Sequence, residues 1–149
     1  MTPAQLFALL VALPALHDGH GRPIRRPEGA AKAIVEVVAT DSEDPLRDAV
    51  TLDVLMAHES GYHLDALGDS GQSCGPLQTP CALLPLHAPP HAYIRLALRI
   101  LRASPCAHPL YSYASGRCAP TPVAVRYERE VEANVARARV LAASLEAAP

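Results

Sequence analysis

A carboxylate at the end of an apolar helix is the clearest candidate for chemistry in this chain. Glu59 lies within His58-Glu59-Ser60-Gly61-Tyr62, four residues after Leu55 and three after Met56. This spacing keeps Glu59 on the core-facing side of the helix. Burial disfavours a charged carboxylate and raises its pKa, as a proton donor near neutral pH requires. Glu59 is therefore a candidate general acid; the alternative is a solvated residue at a frayed helix end.

A Gly- and Pro-rich segment, 61–80, follows this carboxylate. It is too broken for a helix, and long segments without regular structure are often functional. We expect a Gly-rich loop, or a small β-hairpin around 68–71, beside a cleft. Asp65 and Asp69 lie in this segment and are possible second carboxylates, although Asp more often bends or caps a turn.

The elements that must position these residues are mainly helices. The chain has 149 residues, half of them apolar, which suits a single domain with its own core over 1–149. Apolar spacing and start signals predict a mainly α fold. The expected helices are a first one from Thr2-Pro3 to about Asp18-Gly19, then 28–40, a third that starts at Asp44-Pro45, 90–103 and 121–147.

Charge and hydropathy limit the partners. The formal net charge is −2, and broad capture of nucleic acid needs a concentrated positive field. We therefore expect no nucleic-acid partner. The apolar run 6–13 is too short to span a membrane. It lacks the preceding basic residue and the cleavage site of a convincing signal peptide, so 1–18 is expected to be an intact helix rather than an uncleaved signal-like segment.

Four cysteines allow three pairings, and their spacing favours Cys74 with Cys81 and Cys106 with Cys118. The alternative is a structural zinc site formed by Cys74, Cys81, His87 and His91. The histidine spacing fits such a site, but the cysteines are farther apart than is usual. We expect neither a metal nor a cofactor.

Three short motifs together resemble the soluble lytic transglycosylase family and its goose-type lysozyme relatives. They are Glu59-Ser60-Gly61-Tyr62, Gly75-Pro76-Leu77-Gln78 and Tyr113-Ala114-Ser115-Gly116. In the family the corresponding motifs are Glu-Ser, a Gly-Leu-Met-Gln-like turn and Ala-Tyr-Asn-x-Gly. Order and spacing agree over 44–116, which would be the motif-bearing catalytic core.

The chain departs from the family pattern at three points. One extra residue lies between Gly71 and Gly75, Pro76 stands where the family usually has Leu, and Ala114 replaces the usual Asn. The first two differences would reshape the sugar groove, and the third would remove a substrate contact. The Glu-Ser pair is intact.

The resemblance implies a lysozyme-like helical domain that cleaves the β-1,4 bond between N-acetylmuramic acid and N-acetylglucosamine in peptidoglycan. Glu59 would act first as acid and then as base, giving 1,6-anhydro products. Ser60 and Gln78 would shape the site and Tyr113 would hold the Glu59 carboxyl. Tyr62 would line the groove, or alternatively fill core space.

The same resemblance implies glycan strands as partner and action in the periplasm or cell wall, after export or delivery by a phage. A disulfide between Cys106 and Cys118 would fix the Tyr113 segment. Two alternatives remain open: a hydrolytic muramidase that uses a further Asp, and a non-catalytic peptidoglycan-binding or structural module. The protein would be a monomer or part of an envelope or phage assembly.

Overall fold

The computed structural model describes residues 1–146, and within them the chain is mainly helical, with two small antiparallel sheets. The mainly α class is confirmed. The expected end of the last helix at residue 147 lies outside the described residues. In chain order the elements are α1 (Pro3–Ala12), β1 (Leu16–His17), β2 (Pro23–Ile24), α2 (Glu28–Asp41), α3 (Pro45–Ser60), β3 (Leu67–Gly68), β4 (Ser73–Cys74), β5 (Thr79–Pro80), α4 (Pro90–Arg102), α5 (Pro109–Ser115) and α6 (Pro122–Glu146).

Helix α3 lies at the centre of the molecule. Every residue from Ala49 to His58 is buried, because α3 packs against α1, α2, α4 and α6. The helix starts as the sequence predicts: the Asp44 side chain accepts a hydrogen bond from the Arg47 N–H, and Pro45 occupies the first helical position. Gly61, with φ +61°, ends the helix in the left-handed conformation that favours glycine.

Helix α1 ends earlier than the sequence predicted. Its last residue is Ala12, because Pro14 disfavours the helical conformation of the residue before it. Leu6, Leu9 and Leu10 of α1 are buried, and the helix packs against α2, α3 and α6.

The segment between α1 and α2 is a hairpin. Strands β1 and β2 pair antiparallel, with Leu16 opposite Ile24 and His17 opposite Pro23. The Asp18 carboxylate accepts hydrogen bonds from the backbone N–H groups of His20 and Arg22, and so closes the turn.

The Gly- and Pro-rich segment 61–80 was expected to form either a loop or a small β-hairpin around 68–71. It forms a small antiparallel sheet. Strands β3, β4 and β5 are antiparallel in that order, and a single 3-10 turn, Asp69–Gly71, connects β3 to β4. A disulfide joins Cys74, the last residue of β4, to Cys81, which directly follows β5.

The second disulfide joins Cys106 to Cys118 and encloses α5. The sequence did not predict α5, which is only seven residues long and begins at Pro109. Both expected pairings are therefore present. Within residues 1–146, no helix combines the length and the apolar character needed to cross a membrane.

Gly75 offers a test of this packing. Its φ is +75°, and a Cβ at this position would lie 2.5 Å from the ring of Tyr93, which is fully buried. We expect Gly75→Ala to lower the free energy of unfolding by about 2–4 kcal/mol, from backbone strain and overpacking together. Urea denaturation measures the change.

Gly71→Ala is the matched control, since Gly71 also has a positive φ of +87° but has open space where the Cβ would be. Its cost should be backbone strain alone, about 1 kcal/mol. Equal losses for the two variants would contradict the packing explanation.

Candidate active site

The Glu59 carboxyl lies at the wall of a cleft, in the last turn of α3. It is mostly buried, and this desolvation raises its pKa from 4.5 to about 7. The Tyr127 hydroxyl and the charge of His58 oppose that rise, and the nearby Asp69 carboxylate adds to it. A carboxyl with this pKa is half protonated at neutral pH and can donate or accept a proton there.

Tyr127, on α6, holds the Glu59 carboxyl. Its hydroxyl donates a hydrogen bond of 3.1 Å to Glu59 Oε1. The expectation that Tyr113 does this is wrong, because the Tyr113 hydroxyl donates to the backbone carbonyl of Leu77 at 2.7 Å. Burial is the main cause that raises the pKa of Tyr113. The charge of Glu59 is the second cause, so Tyr113 still lies close to that carboxyl.

His58 and Glu130 support Tyr127 from behind. The His58 ring stacks on the Tyr127 ring, with centroids 4.8 Å apart. Its Nε2 lies 2.5 Å from Glu130 Oε2, and the His58 side chain is only 2% exposed. Because Glu130 and Tyr127 both belong to α6, this pair fixes the ring that contacts Glu59.

Ser60 joins the first two motifs. Its hydroxyl donates to the Pro76 carbonyl at 2.8 Å, and Pro76 is buried. The side-chain amide of Gln78 donates to the Gly75 carbonyl at 2.8 Å. The backbone of Gln78 is in the left-handed region, with φ +48°. Both expected site-shaping residues thus contact the backbone of the Gly75–Gln78 turn, and Gln78 also lines the cleft.

Tyr62 does not line the cleft, which corrects one expectation in favour of its alternative. The side chain turns into the core, where its hydroxyl donates to Asp53 Oδ1 at 2.7 Å and the residue is 7% exposed. Asp53 also forms an ion pair with the Arg26 guanidinium, with 2.6 Å between Nη2 and Oδ2. Asp53 is a buried carboxylate, so it needs both partners.

Asp65 and Asp69, the two possible second carboxylates, are both exposed, but their surroundings differ. Asp69 is near enough for its charge to raise the pKa of Glu59, and its carboxylate accepts a hydrogen bond from Ser73. Asp65 makes no hydrogen bond within residues 1–146. Of the two, only Asp69 has an electrostatic effect on Glu59.

The cleft beside Glu59 has a volume of about 530 Å³. One wall is the turn of the β1–β2 hairpin, which contributes Asp18, His20 and Arg22, and the other carries Glu59 and Gln78. Hydrogen bonds from Arg22 and His20 lower the pKa of Asp18 to about 2. The sequence interpretation missed this wall because Gly and Pro in 17–27 indicated only a connector.

The zinc alternative lacks its thiolates. Cys74 and Cys81 form a disulfide, and thiolate is the form of cysteine that binds zinc. His91 Nε2 pairs instead with Glu36. Among residues 1–146 no group of three or more potential ligands could hold a metal ion.

The site therefore combines one carboxyl of raised pKa, a tyrosine that orients it and the Gly75–Gln78 turn, which Ser60 links to α3. This set can transfer a proton to and from an oxygen placed beside Glu59. No protein-family model, curated protein or solved structure gives a significant match to the chain. The family resemblance therefore rests on the three motifs.

Tyr127→Phe tests how Glu59 is held. The Tyr127 hydrogen bond favours the ionised carboxylate, so its removal should raise the pKa of Glu59 above the wild-type value of about 7. NMR titration of the labelled Glu59 carboxyl measures this without a substrate. Tyr113→Phe is the control, and a larger shift in that variant than in Tyr127→Phe would contradict the assignment.

Glu59→Gln tests the desolvation itself. The pKa of Glu59 is raised from 4.5 to about 7 on folding, so the unfolded chain loses this proton first. The free energy of unfolding therefore falls as pH rises from 4.5 to 7, by about 3 kcal/mol. Gln carries no charge, and Glu59→Gln should be the more stable protein at pH 8 by up to this amount.

Urea denaturation at pH 4 and pH 8 measures the difference between Glu59→Gln and wild type. Glu43→Gln serves as the control, because it makes the same substitution at a carboxyl that is exposed. If the free energy of unfolding of wild type does not fall relative to that of Glu59→Gln between pH 4 and pH 8, Glu59 is solvated.

Proposed function

We propose that the protein is a peptidoglycan lytic transglycosylase of lysozyme-like fold, which cleaves the bond between N-acetylmuramic acid and N-acetylglucosamine. The observation that carries this proposal is the buried Glu59 carboxyl, which has a pKa of about 7 and lies at a cleft. The three motifs support it in two ways. They follow one another in the sequence in the order that the resemblance implies, and Ser60 and Tyr113 of the first and third motifs both donate hydrogen bonds to the Gly75–Gln78 turn.

Glu59 carries both proton transfers in this proposal. The protonated carboxyl donates its proton to the glycosidic oxygen as the bond from the muramoyl C1 breaks. The resulting carboxylate then takes the proton of the muramoyl 6-hydroxyl, whose oxygen attacks C1 and closes the 1,6-anhydro ring. The proton returns to Glu59, so the cycle needs no other acid or base.

Hydrolysis is the second candidate function. Its second carboxylate would be Asp69 rather than Asp65, because of the position of Asp69. Asp69 is the carboxylate whose charge acts on Glu59. A second carboxylate near the acid could activate a water molecule in place of the 6-hydroxyl. The product would then carry a reducing end.

The two disulfides suit a protein that works in an oxidising compartment. We therefore propose action in the periplasm or at the cell wall, with the glycan strands of peptidoglycan as partner. A non-catalytic module that binds the same strands would use the cleft but not the Glu59 proton.

Glu59→Gln against wild type on purified sacculi separates an enzyme from a binding module. We expect the loss of one acid–base group to lower the release of soluble muropeptides at least 100-fold, about the contribution of a general acid. Glu43→Gln, which removes an exposed carboxyl, should leave the rate unchanged. Equal release by Glu59→Gln and wild type would refute the role of Glu59, and no release by either would favour the binding module.

Mass spectrometry of the wild-type products distinguishes the two reactions. Transglycosylation yields 1,6-anhydro ends, which are one water molecule lighter than the reducing ends left by hydrolysis. Anhydro products that persist in Asp69→Asn would support the single-Glu mechanism. Reducing ends that disappear in Asp69→Asn would instead establish a hydrolase.

A further inference from the structure

A second depression lies beside strand β2 of the β1–β2 hairpin. We call it the α1 groove, and its volume of about 1030 Å³ is large enough for a short peptide. Its floor is apolar and includes Leu13, which is buried, and Val11, which is 50% exposed. The groove is bordered by Phe7, Val11, Leu13, Ile24, Arg25 and Glu28.

The α1 groove adjoins the cleft. Pro23 and Ile24, which form strand β2, line both depressions. A ligand that occupies the cleft beside Glu59 and branches sideways over β2 would therefore enter the α1 groove.

Three charged residues line the groove, and two of them, Arg25 and Glu28, are exposed and opposite in sign. Arg25 is exposed and, within residues 1–146, forms no ion pair. The third charged residue, Arg26, is not available to a ligand, because its side chain is only 7% exposed and forms an ion pair with Asp53. Glu28 lies in the first turn of α2 and is exposed. A ligand that suits this groove has apolar side chains, a carboxylate for Arg25 and an amino group for Glu28.

We propose that the α1 groove binds the peptide branch carried by the glycan substrate. This proposal rests on the proposed function, because it takes the glycan in the cleft as given. The muramoyl lactyl group bears a short peptide that has small apolar side chains, free carboxylates and an amino group. That branch leaves the sugar sideways, and its chemistry matches the two charges and the apolar floor.

The test compares two soluble ligands in the Glu59→Gln protein, which holds strands without cleaving them. One is glycan strands with their peptides; the other is the same strands after enzymatic removal of the peptides. Removal leaves a lactyl carboxylate on each muramoyl residue, so both ligands are anionic. Titration calorimetry should show about tenfold tighter binding of the peptide-bearing strands, the ratio expected from one charge-assisted contact.

Two further variants in the same background locate the preference. Arg25→Gln removes the exposed cation, and Val11→Glu places a carboxylate at an exposed position of the groove. Each should bring the affinity ratio close to one. Arg99→Gln is the matched control, because Arg99 is exposed on α4 and lines neither depression, and it should keep the ratio. The ratio should also shrink as salt is added.

Equal affinity for the two ligands, or a ratio that survives both Arg25→Gln and Val11→Glu, would overturn the groove assignment. If wild type still releases muropeptides in that case, only the peptide subsite fails. If wild type releases none and Glu59→Gln binds neither ligand, the proposed function fails and the subsite fails with it.

Discussion

The desolvation of one carboxyl is the constraint on which the rest of the site depends. Glu59 follows ten consecutive buried residues of α3, so its position is set by the packing of four other helices against that one. Water cannot fully solvate its charge there, and its pKa rises to about 7. The same burial that raises the pKa of Glu59 disfavours the folded state once the carboxyl ionises.

Backbone carbonyls of one turn hold the three motifs together. Ser60 donates to the Pro76 carbonyl, Tyr113 to that of Leu77 and the Gln78 side chain to that of Gly75. This explains how proline is accommodated at position 76, where the family that the motifs resemble usually has Leu: proline lacks the N–H donor but keeps the carbonyl that Ser60 requires. A departure from the motif in side-chain type thus preserves the contact that links the motif to α3.

The sequence predicted what depends on local pattern and missed what depends on distant contacts. Asp44-Pro45 marks the start of α3, and apolar spacing reveals its buried faces, so Glu59 could be found. Tyr127 lies 68 residues farther along the chain and contacts Glu59 only because α6 packs on α3. Its spacing of four residues before Val131 places it on the inner face of α6. That pattern indicates core packing, and it does not indicate that a hydroxyl reaches the acid.

The cleft wall that the sequence missed is fixed to the same helix as the acid. Arg26, just after β2, pairs with Asp53 of α3, and Tyr62, just after Glu59, donates to the same carboxylate. At the hairpin turn Gly19 approaches the His58 carbonyl so closely that a Cβ would lie 3.0 Å from it. Breaking the buried pair would leave a charge without its partner, which is strongly unfavourable. Asp53 therefore couples the hairpin, α3 and the segment after Glu59, so it links the two walls of the cleft although they are far apart in sequence.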